Sequence, residues 1–312
     1  MAVALITGTS SGIGLETALL FARRGYRVFA GARRPETSEG LQRAVGEGLP
    51  LTPIVLDVDS DDSVRQTVAQ VGPVDVLVNN AGIGSAAAVE HMPMEEVRAL
   101  FDTNVFGAVR MMQAVLPSMR ERRTGVVVNV TSVMGRITLP CHGYYAATKF
   151  ALEAISESLA MEVKPFGIKV AIIEPGVILT PIWGKRDGFM PDEHEYGRPM
   201  GRLYRVFGSQ MDGGTTPDIV AEAIYDAATR EGAPLRIPVG DDAVVWVAAR
   251  DRVTSDEWVS LHAEPDEDAW IARAERMFGV DTLNPPSLNA RRNRATPGSD
   301  WISPDQENRG RS

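Results

Sequence analysis

The sequence predicts an α/β fold in which helices cover both faces of a doubly wound parallel sheet. Apolar runs of strand length alternate with longer segments of helical period from Ala2 to Glu174. The runs VALIT, VLVN, VVVNV and VAII have no polar alternation, as expected of strands that are buried on both faces. With 312 residues and 44% hydrophobic residues, the chain fits one large α/β domain or two small ones.

The predicted strands and helices alternate along the chain. The predicted strands are Ala2–Thr7, Arg27–Ala32, Pro53–Val58, Val74–Asn79, Val126–Thr131, Ile168–Glu174 and Leu235–Val239. The predicted helices are Ile13–Arg24, Ser60–Val71, Met94–Met119, Tyr144–Phe166 and Pro217–Arg230. Gly25 and Gly167 each follow a cationic segment, which is typical of a helix C-terminus. The predicted helix ends therefore agree with the predicted strand starts.

The alternation breaks after Pro175-Gly176. Residues 182–214 are too long for a simple loop and predict a lid over an apolar substrate, with core packing of this insertion as the alternative. The residues that suit such a lid are Met190, Tyr196, Met200, Tyr204, Phe207 and Met211. Residues 255–278 predict short C-terminal helices with Trp258, Leu261, Trp270, Ile271 and Phe278 buried. We predict a single domain over residues 1–279 and a flexible polar tail over 280–312.

Composition and charge exclude several classes of function. The chain has 32 Lys and Arg against 41 Asp and Glu, a net charge of −9 that disfavours nucleic acid as the main partner. A single cysteine, Cys141, permits no internal disulfide, and the four histidines have no metal-ligand spacing, so we expect no metal. The N-terminus has no basic leader and no apolar stretch near the ~20 residues of a membrane span. We expect a soluble, cytoplasmic protein.

The first motif with chemical content is TGTSSGIG, residues 7–14, between the first predicted strand and helix. Gly8, Gly12 and Gly14 allow a tight turn, a close approach to a pyrophosphate and packing of the helix on the sheet. The helix N-terminus offers unpaired N–H groups to the anion. The motif predicts nucleotide binding, with a plain tight turn as the alternative.

The second motif is YAATK, which places Tyr145 and Lys149 one turn apart on the same face of a predicted helix. A free tyrosine, with a pKa near 10, is a slow acid or base at neutral pH, and a fixed cation favours its phenolate. The pair therefore predicts proton transfer, with a solvated lysine beside an interfacial tyrosine as the alternative. Cys141 and His142, on the loop before Tyr145, are expected at the mouth of the site without a catalytic role.

Together these motifs resemble the classical short-chain dehydrogenase/reductase family over about residues 1–240. The other matching positions are Asn79-Asn80-Ala81-Gly82, Asn104, Ser132 thirteen residues before Tyr145, and Pro175-Gly176 with Thr180. The segments TNVFGAVRMMQAVLPSM and YYAATKFALEAISESLAMEVKPFG are most similar to the group of estradiol 17-beta-dehydrogenase and the retinol dehydrogenases. The resemblance implies a Rossmann-type, seven-stranded parallel sheet of order 3-2-1-4-5-6-7, and a homodimer or homotetramer formed through two long helices.

The resemblance also implies a catalytic tetrad of Asn104, Ser132, Tyr145 and Lys149. Tyr145 would be the general acid in reduction and the base in oxidation, with Lys149 lowering its pKa and binding the nicotinamide ribose. Ser132 would hydrogen-bond the substrate carbonyl. Asn104 would hold a water that links Lys149 to solvent, with a structural kink as the alternative.

The cofactor-binding residues implied by the resemblance follow several of the predicted strands. They are Gly8, Ser10, Ser11, Gly12, Ile13, Gly14, Arg33, Asp57, Val58, Asn79, Ala81, Gly82, Tyr145, Lys149, Pro175, Gly176 and Thr180. Asp57 would bind the adenine amine, with helix capping as the alternative, and the alternative for Asn79 is a structural role. Ala32 stands where NAD-preferring relatives have an acidic side chain, and Arg33 follows it directly, which predicts NADP(H) over NAD(H) unless Arg33 and Arg34 are only surface charges.

We therefore predict an NADP(H)-dependent oxidoreductase that transfers hydride between nicotinamide and a hydrophobic ketone, aldehyde or secondary alcohol. One alternative is a catalytically silent NADP(H)-binding sensor or scaffold, in which we would expect loss of the tetrad. Another is an epimerase or dehydratase, in which we would expect a shifted glycine spacing and a longer substrate domain.

Overall fold

The computed structural model describes residues 1–180, 195–211 and 214–278. Seven parallel strands form one sheet of order β3-β2-β1-β4-β5-β6-β7. The strands are β1 (Val3–Thr7), β2 (Arg27–Ala32), β3 (Leu51–Val55), β4 (Val76–Asn79), β5 (Gly125–Val130), β6 (Ile168–Pro175) and β7 (Arg236–Val239). The strand order predicted from the resemblance is confirmed.

Eleven α-helices are present within the described residues. They are α1 (Gly12–Arg23), α2 (Glu39–Gly46), α3 (Asp61–Val71), α4 (Met94–Phe101), α5 (Ala108–Arg122), α6 (Gly143–Val163), α7 (Gly197–Met211), α8 (Pro217–Thr229), α9 (Asp241–Asp251), α10 (Ser255–His262) and α11 (Glu267–Phe278). The predicted helix ends at Gly25 and Gly167 are confirmed, since both glycines have positive φ, +86° and +73°.

Helices cover both faces of the sheet, as predicted. Phe21 of α1, Leu41 of α2 and Ile224 of α8 belong to the apolar cluster on one face. The other face carries a cluster with side chains of α3, α5 and α6, such as Met111 and Leu152. The central strands β1, β4 and β5 are therefore enclosed, which explains why their sequences are apolar without alternation.

A third apolar cluster joins α7, α9, α10 and α11 to the loops at the carboxyl ends of the strands. Trp258, Leu261, Trp270 and Ile271 are buried there, as predicted. Residues 197–211 of the predicted insertion form α7. Met190, the predicted tail over residues 280–312 and the side chain of Phe278 lie outside the described residues.

The third strand lies earlier in the sequence than predicted, whereas most other boundaries agree to within a few residues. The third strand covers Leu51–Val55 and not Pro53–Val58, because it pairs with β2 only from Val28 to Ala32 and the ladder then ends. Pro53 lies inside this strand, which is an edge of the sheet, where a residue without an N–H is tolerated.

Helices α2 and α9 were not predicted. The sequence of α2 has a glycine near each end, which weakens its helical pattern, and its N-terminus is fixed by the side chain of Ser38. Helix α9 contains the run AVVWVAA, whose β-branched residues do not favour a helix by propensity. Packing of Ala243 and Trp246 into the third apolar cluster stabilises it. No described helix is both long and apolar enough to cross a membrane.

Candidate active site

The glycine motif forms a tight turn between β1 and α1. Gly8 and Gly12 have positive φ, +71° and +61°, which glycine adopts without steric cost. A Cβ at Gly14 would lie 2.4 Å from the carbonyl oxygen of Gly8 and from Nδ2 of Asn80. Only glycine at position 14 therefore allows α1 to begin so close to the turn.

The segment that follows β4 holds this turn in place. Nδ2 of Asn80 donates to the carbonyl oxygens of Thr7 (2.9 Å) and Gly8 (3.2 Å). The backbone N–H groups of Asn80 and Ala81 donate to Oγ1 of Thr7 at 3.0 and 2.9 Å. Asn80 was not among the predicted site residues, although it belongs to the NNAG motif. The sequence signal that could have identified Asn80 is an amide side chain next to a glycine turn in a parallel sheet.

A cavity at the carboxyl ends of β1, β2 and β4 brings together many of the predicted cofactor-binding residues. It is lined by Gly8, Ser10, Ser11, Gly12, Ile13, Arg33, Asp57, Val58, Ala81, Gly82 and Thr180, together with Asp59, Asn80 and Ile83 among others. We call it the cofactor cavity. The N-terminus of α1 opens onto it, which suits an anionic group. Gly14 does not line it and instead lies close to Gly8 and Asn80.

Asn79 lines neither this cavity nor the adjoining one. It is buried in β4, and its Nδ2 donates to Oδ1 of Asn129 on the neighbouring strand β5 at 2.8 Å. This contact favours the structural alternative for Asn79.

Asp57 lies beyond the end of β3, and the cap of α3 is Ser60, whose Oγ accepts from the N–H of Ser63 at 3.2 Å.

Tyr145 and Lys149 lie on one face of α6, as predicted. Nζ of Lys149 is 5.7 Å from the centre of the Tyr145 ring and donates to the carbonyl oxygen of Val130 at 3.2 Å. Ser132 lies two residues beyond the end of β5, and its Oγ donates to the carbonyl oxygen of Pro175 at 3.4 Å, beside the Tyr145 side chain. Oγ of Ser132 also accepts from the N–H of Met134 at 3.1 Å, which fixes its position.

Burial controls the ionisation of this pair. It raises the pKa of Tyr145 to about 12, although the hydrogen bond from Ser132 acts in the opposite direction. It lowers the pKa of Lys149 to about 8, opposed by the nearby carboxylate of Glu153. Burial therefore sets the direction of the Tyr145 pKa in the free protein, and the lowering effect of Lys149 stays a prediction. The phenol keeps its proton at neutral pH.

Asn104 interrupts a helix that was predicted to be continuous over Met94–Met119. A single π-helical segment, Asp102–Gly107, separates α4 from α5. Oδ1 of Asn104 accepts from the N–H of Ile83 (2.8 Å), and Nδ2 donates to the Ile83 carbonyl (2.9 Å) and to Oγ1 of Thr148 (3.1 Å). The apolar periodicity continues across the π segment, so the sequence pattern could not reveal it.

A second cavity adjoins the first and shares Ile13, Asn80, Gly82, Ile83 and Thr180 with it. Ser132, Tyr145, Lys149, Pro175 and Gly176 also line it. Its far end is formed by Ala86, Met134, His142, Val177, Leu203, Tyr204, Phe207 and Trp246. We call it the substrate cavity. Leu203, Tyr204 and Phe207 belong to α7, so part of the predicted lid insertion lines this cavity, whereas Met200 packs in the third apolar cluster and Met211 is exposed.

Asp242 is a residue near the site that the sequence did not predict, because the residue that it contacts is distant in sequence. Asp242, at the start of α9, accepts a hydrogen bond at its Oδ2 from the N–H of Val177 at 2.6 Å. A Cβ at Gly176 would lie 2.3 Å from this carboxylate, so a side chain there would displace Asp242 from its present position. Asp242 thereby holds the loop between β6 and the substrate cavity. Within the described residues, no group of three or more His, Cys, Asp or Glu side chains has the geometry of a metal site.

Comparison with known proteins identifies the family. The sequence profile described as short chain dehydrogenase matches residues 2–189. The chain belongs to the short-chain dehydrogenase family. It is therefore an oxidoreductase, and the resemblance inferred from the motifs is confirmed.

Several curated relatives of this short-chain dehydrogenase cover most of its length. The 3-ketodihydrosphingosine reductase of Bacteroides thetaiotaomicron is 37% identical over 244 residues, which is 76% of this chain and 87% of the relative. Human retinol dehydrogenase 8 is 41% identical over 249 residues, 74% of this chain and 79% of the relative. The latter match agrees with the predicted retinol dehydrogenase-like group.

Solved structures share the fold of this short-chain dehydrogenase. A short-chain dehydrogenase from Streptomyces avermitilis superposes with a TM-score of 0.73 at 37% identity, covering 85% of this chain and 98% of its own. The alcohol dehydrogenase of Thermococcus sibiricus, solved with 5-hydroxy-NADP, superposes with a TM-score of 0.63 at 27% identity, covering 77% and 96%.

Proposed function

We propose that this short-chain dehydrogenase transfers hydride between NADP(H) and a hydrophobic ketone, aldehyde or secondary alcohol. The observation that carries the proposal is that Tyr145, Ser132 and Lys149 line the substrate cavity, which shares five lining residues with the cofactor cavity. An acid, a second hydroxyl and a cation at such a junction suit proton transfer to a carbonyl oxygen.

The cofactor cavity fits a dinucleotide. The glycine turn and the N-terminus of α1 form a cradle that a side chain at Gly8 or Gly14 would fill. Arg33 lines the same cavity, and the preceding Ala32 leaves no carboxylate to repel a 2′-phosphate. The related alcohol dehydrogenase of Thermococcus sibiricus binds a 5-hydroxy-NADP. These observations support NADP(H), with NAD(H) as the less favoured cofactor.

The chain's own residues supply the proton and the alignment. When bound, the cofactor supplies or accepts the hydride. In reduction, Tyr145 donates its phenolic proton to the carbonyl oxygen, and in oxidation the phenolate accepts it. Ser132 donates a hydrogen bond to the same oxygen, where negative charge develops. Lys149 stabilises the phenolate once it forms and binds the nicotinamide ribose.

Asn104 positions this machinery through its side chain. Nδ2 of Asn104 already donates to the Ile83 carbonyl oxygen and to Oγ1 of Thr148. A water held by Asn104 therefore has to donate to its side-chain oxygen or to its backbone carbonyl oxygen. A Cβ at Gly82 would lie 3.3 Å from Oδ1 of Asn104 and 3.8 Å from Nζ of Lys149. The glycine thus keeps open the space between them, where the proposed water would connect Lys149 to solvent.

We also propose that the chain forms a homodimer or homotetramer through α5, α6 and the π-helical segment between α4 and α5. Phe106, Phe150 and Met161 are large apolar side chains on these elements, and all three are exposed. Light scattering coupled to size exclusion tests this proposal, since a monomeric mass would contradict it.

Steady-state kinetics test the proposed function. We expect the protein to consume NADPH with a panel of hydrophobic ketones and aldehydes, and to use NADPH with a higher kcat/KM than NADH. The double variant Ala32→Asp with Arg33→Ala should invert that preference, because it restores a ribose-binding carboxylate and removes the phosphate-binding cation. NADPH binding without turnover of any carbonyl would favour the silent sensor, and equal or better use of NADH by the wild type would contradict the cofactor assignment.

A further inference from the structure

His142 is a buried polar side chain in the wall of the substrate cavity. It directly precedes α6 and is 8% exposed. Its ring centre lies 4.7 Å from that of Tyr145 and 5.4 Å from that of Phe207. Its Nδ1 has no hydrogen-bond partner, and no hydrogen bond joins the imidazole to another side chain or backbone group of the described residues. A buried polar group without a hydrogen-bond partner lowers the stability of the folded protein by about 1–3 kcal/mol.

The surroundings of His142 are apolar. At the far end of the substrate cavity, the neighbouring lining includes Met134, Val177, Leu203 and Phe207. In the proposed mechanism, Ser132 and Tyr145 on the near side contact the reacting oxygen. A substrate group placed against His142 therefore meets the imidazole in a mainly apolar wall, in which Tyr204 and Trp246 are the other side chains with polar atoms.

The imidazole is neutral over the working range of most enzymes. Burial lowers the pKa of His142 to about 4, because desolvation disfavours the imidazolium. A neutral imidazole has one hydrogen-bond donor and one acceptor. It therefore suits an uncharged oxygen function, a hydroxyl or a carbonyl, better than a carboxylate or a phosphate.

We propose that His142 hydrogen-bonds a second oxygen of the substrate, on the carbon next to the reacting carbonyl or the one beyond it. The inference rests on the proposed function, which places the reacting oxygen at the Tyr145 hydroxyl. The rings of His142 and Tyr145 are in contact, so both oxygens have to lie close together on the substrate. The substrate class is thus an α- or β-oxygenated hydrophobic carbonyl compound, or the corresponding diol or hydroxy ketone in the direction of oxidation.

Matched substrate pairs test this proposal. One pair is acetophenone with α-hydroxyacetophenone, for the adjacent carbon, and the other is methyl nonyl ketone with its β-hydroxy derivative, 4-hydroxyundecan-2-one, for the carbon beyond it. His142→Phe keeps an aromatic ring and removes both polar atoms. We expect kcat/KM for the hydroxy ketones to fall at least about tenfold, the effect of one hydrogen bond. The plain ketones should stay within about threefold of the wild type.

Two further variants separate hydrogen bonding from packing. His142→Gln keeps a donor and an acceptor and should retain most of the preference for the hydroxy ketone. Phe207→Leu changes the ring that packs on His142 and should affect both members of a pair alike. A thermal shift with NADPH checks that each variant is folded.

The outcomes distinguish the two proposals. If His142→Phe changes both members of each pair equally, or changes neither, the role of His142 is wrong while the proposed function stands. If the wild type binds NADPH but reduces neither plain nor hydroxylated ketones, the proposed function is wrong and the substrate class with it.

Discussion

Burial and charge act against each other at the ionisable side chains around the candidate site. Desolvation raises the pKa of Tyr145 to about 12 and lowers that of Lys149 to about 8. Glu174, fully buried near the end of β6, follows the same rule. Its pKa rises to about 7, mainly through desolvation and next through the nearby Glu153, although Arg136 and Arg236 oppose the shift. Each residue therefore favours its uncharged form in the free protein more than it would in water.

Glu174 gives the protein a pH-dependent stability. Its pKa is about 7 in the folded state against 4.5 ordinarily. The folded state therefore binds the proton more tightly, and the stability this provides is present below about pH 4.5 and lost as the pH rises through 7. Glu174→Gln, which stays neutral, should gain stability relative to the wild type over this range, by up to about 3 kcal/mol. Urea unfolding of both proteins at the two ends of the range measures the difference.

The matched control for Glu174 is Glu162→Gln, an exposed glutamate on α6. Its stability relative to the wild type should not change with pH by a comparable amount. If the Glu174→Gln variant shows the same constant difference from the wild type at both ends of the range, the pKa of Glu174 is the same in the folded and unfolded states and its burial does not shift it.

Single residues were predictable where their chemistry depends on a local motif. The glycines at positions 8 and 12 and the pair Tyr145 and Lys149 lie within a few residues of the elements that position them. Asp242 was not predictable, because its partner Val177 is 65 residues away. The orphaned nitrogen of His142 was not predictable either, since burial and missing partners follow only from the packed structure.

At the scale of elements, the prediction succeeded for strands that are buried on both faces and for helices with a clear apolar period. It was less exact at β3, an edge strand whose limits depend on its partner β2. It missed α9, which is helical because its Trp246 packs into the third apolar cluster and not because of its intrinsic propensity. The π-helical segment at Asn104 was also missed, because one extra residue per turn scarcely alters the pattern of apolar positions.

The junction of β1 and α1 should be sensitive to one added methyl group. Gly14→Ala places a Cβ 2.4 Å from the Gly8 carbonyl and from Asn80, so the turn or the helix has to move. Overpacking of this kind costs about 1–3 kcal/mol, and we expect at least about tenfold weaker NADPH binding, measured by fluorescence titration.

Gly46→Ala, at the end of α2, is the matched control for this junction. A Cβ there meets nothing within 4 Å, so NADPH binding should be unchanged and stability equal or slightly higher. Wild-type affinity in the Gly14→Ala variant would show that the turn tolerates the added atom and that its geometry is not what binds the pyrophosphate.

At the scale of the whole molecule, the C-terminal helices and the loops of the sheet share one apolar cluster. The third apolar cluster contains Met134 and Val177 from loops of the sheet together with Trp246, Trp258 and Trp270 from α9, α10 and α11. We therefore propose that residues 1–278 unfold as a single cooperative domain.

Trp270 tests this cooperativity. It is fully buried on α11, and the guanidinium of Arg202 lies 4.7 Å above its ring. Trp270→Ala should lower the free energy of unfolding by about 3–5 kcal/mol. Circular dichroism and NADPH binding, followed in the same urea series, should show one coincident transition.

The control for this truncation is Trp270→Phe. It should cost less, because the indole N–H of Trp270 has no hydrogen-bond partner to lose. An early transition in Trp270→Ala that leaves NADPH binding intact would instead show that the C-terminal helices form a separate unit.

The central claim is that Tyr145 transfers the proton at the junction of the two cavities. The most direct measurement compares NADPH affinity and kcat in Tyr145→Phe and in Tyr144→Phe, which removes the neighbouring hydroxyl that donates to the Val89 carbonyl. We predict that Tyr145→Phe binds NADPH within about threefold of the wild type and loses at least about a hundredfold in kcat, the contribution of a general acid. Tyr144→Phe should remain close to the wild type in both. A Tyr145→Phe enzyme that keeps more than about a tenth of the wild-type kcat would contradict the claim.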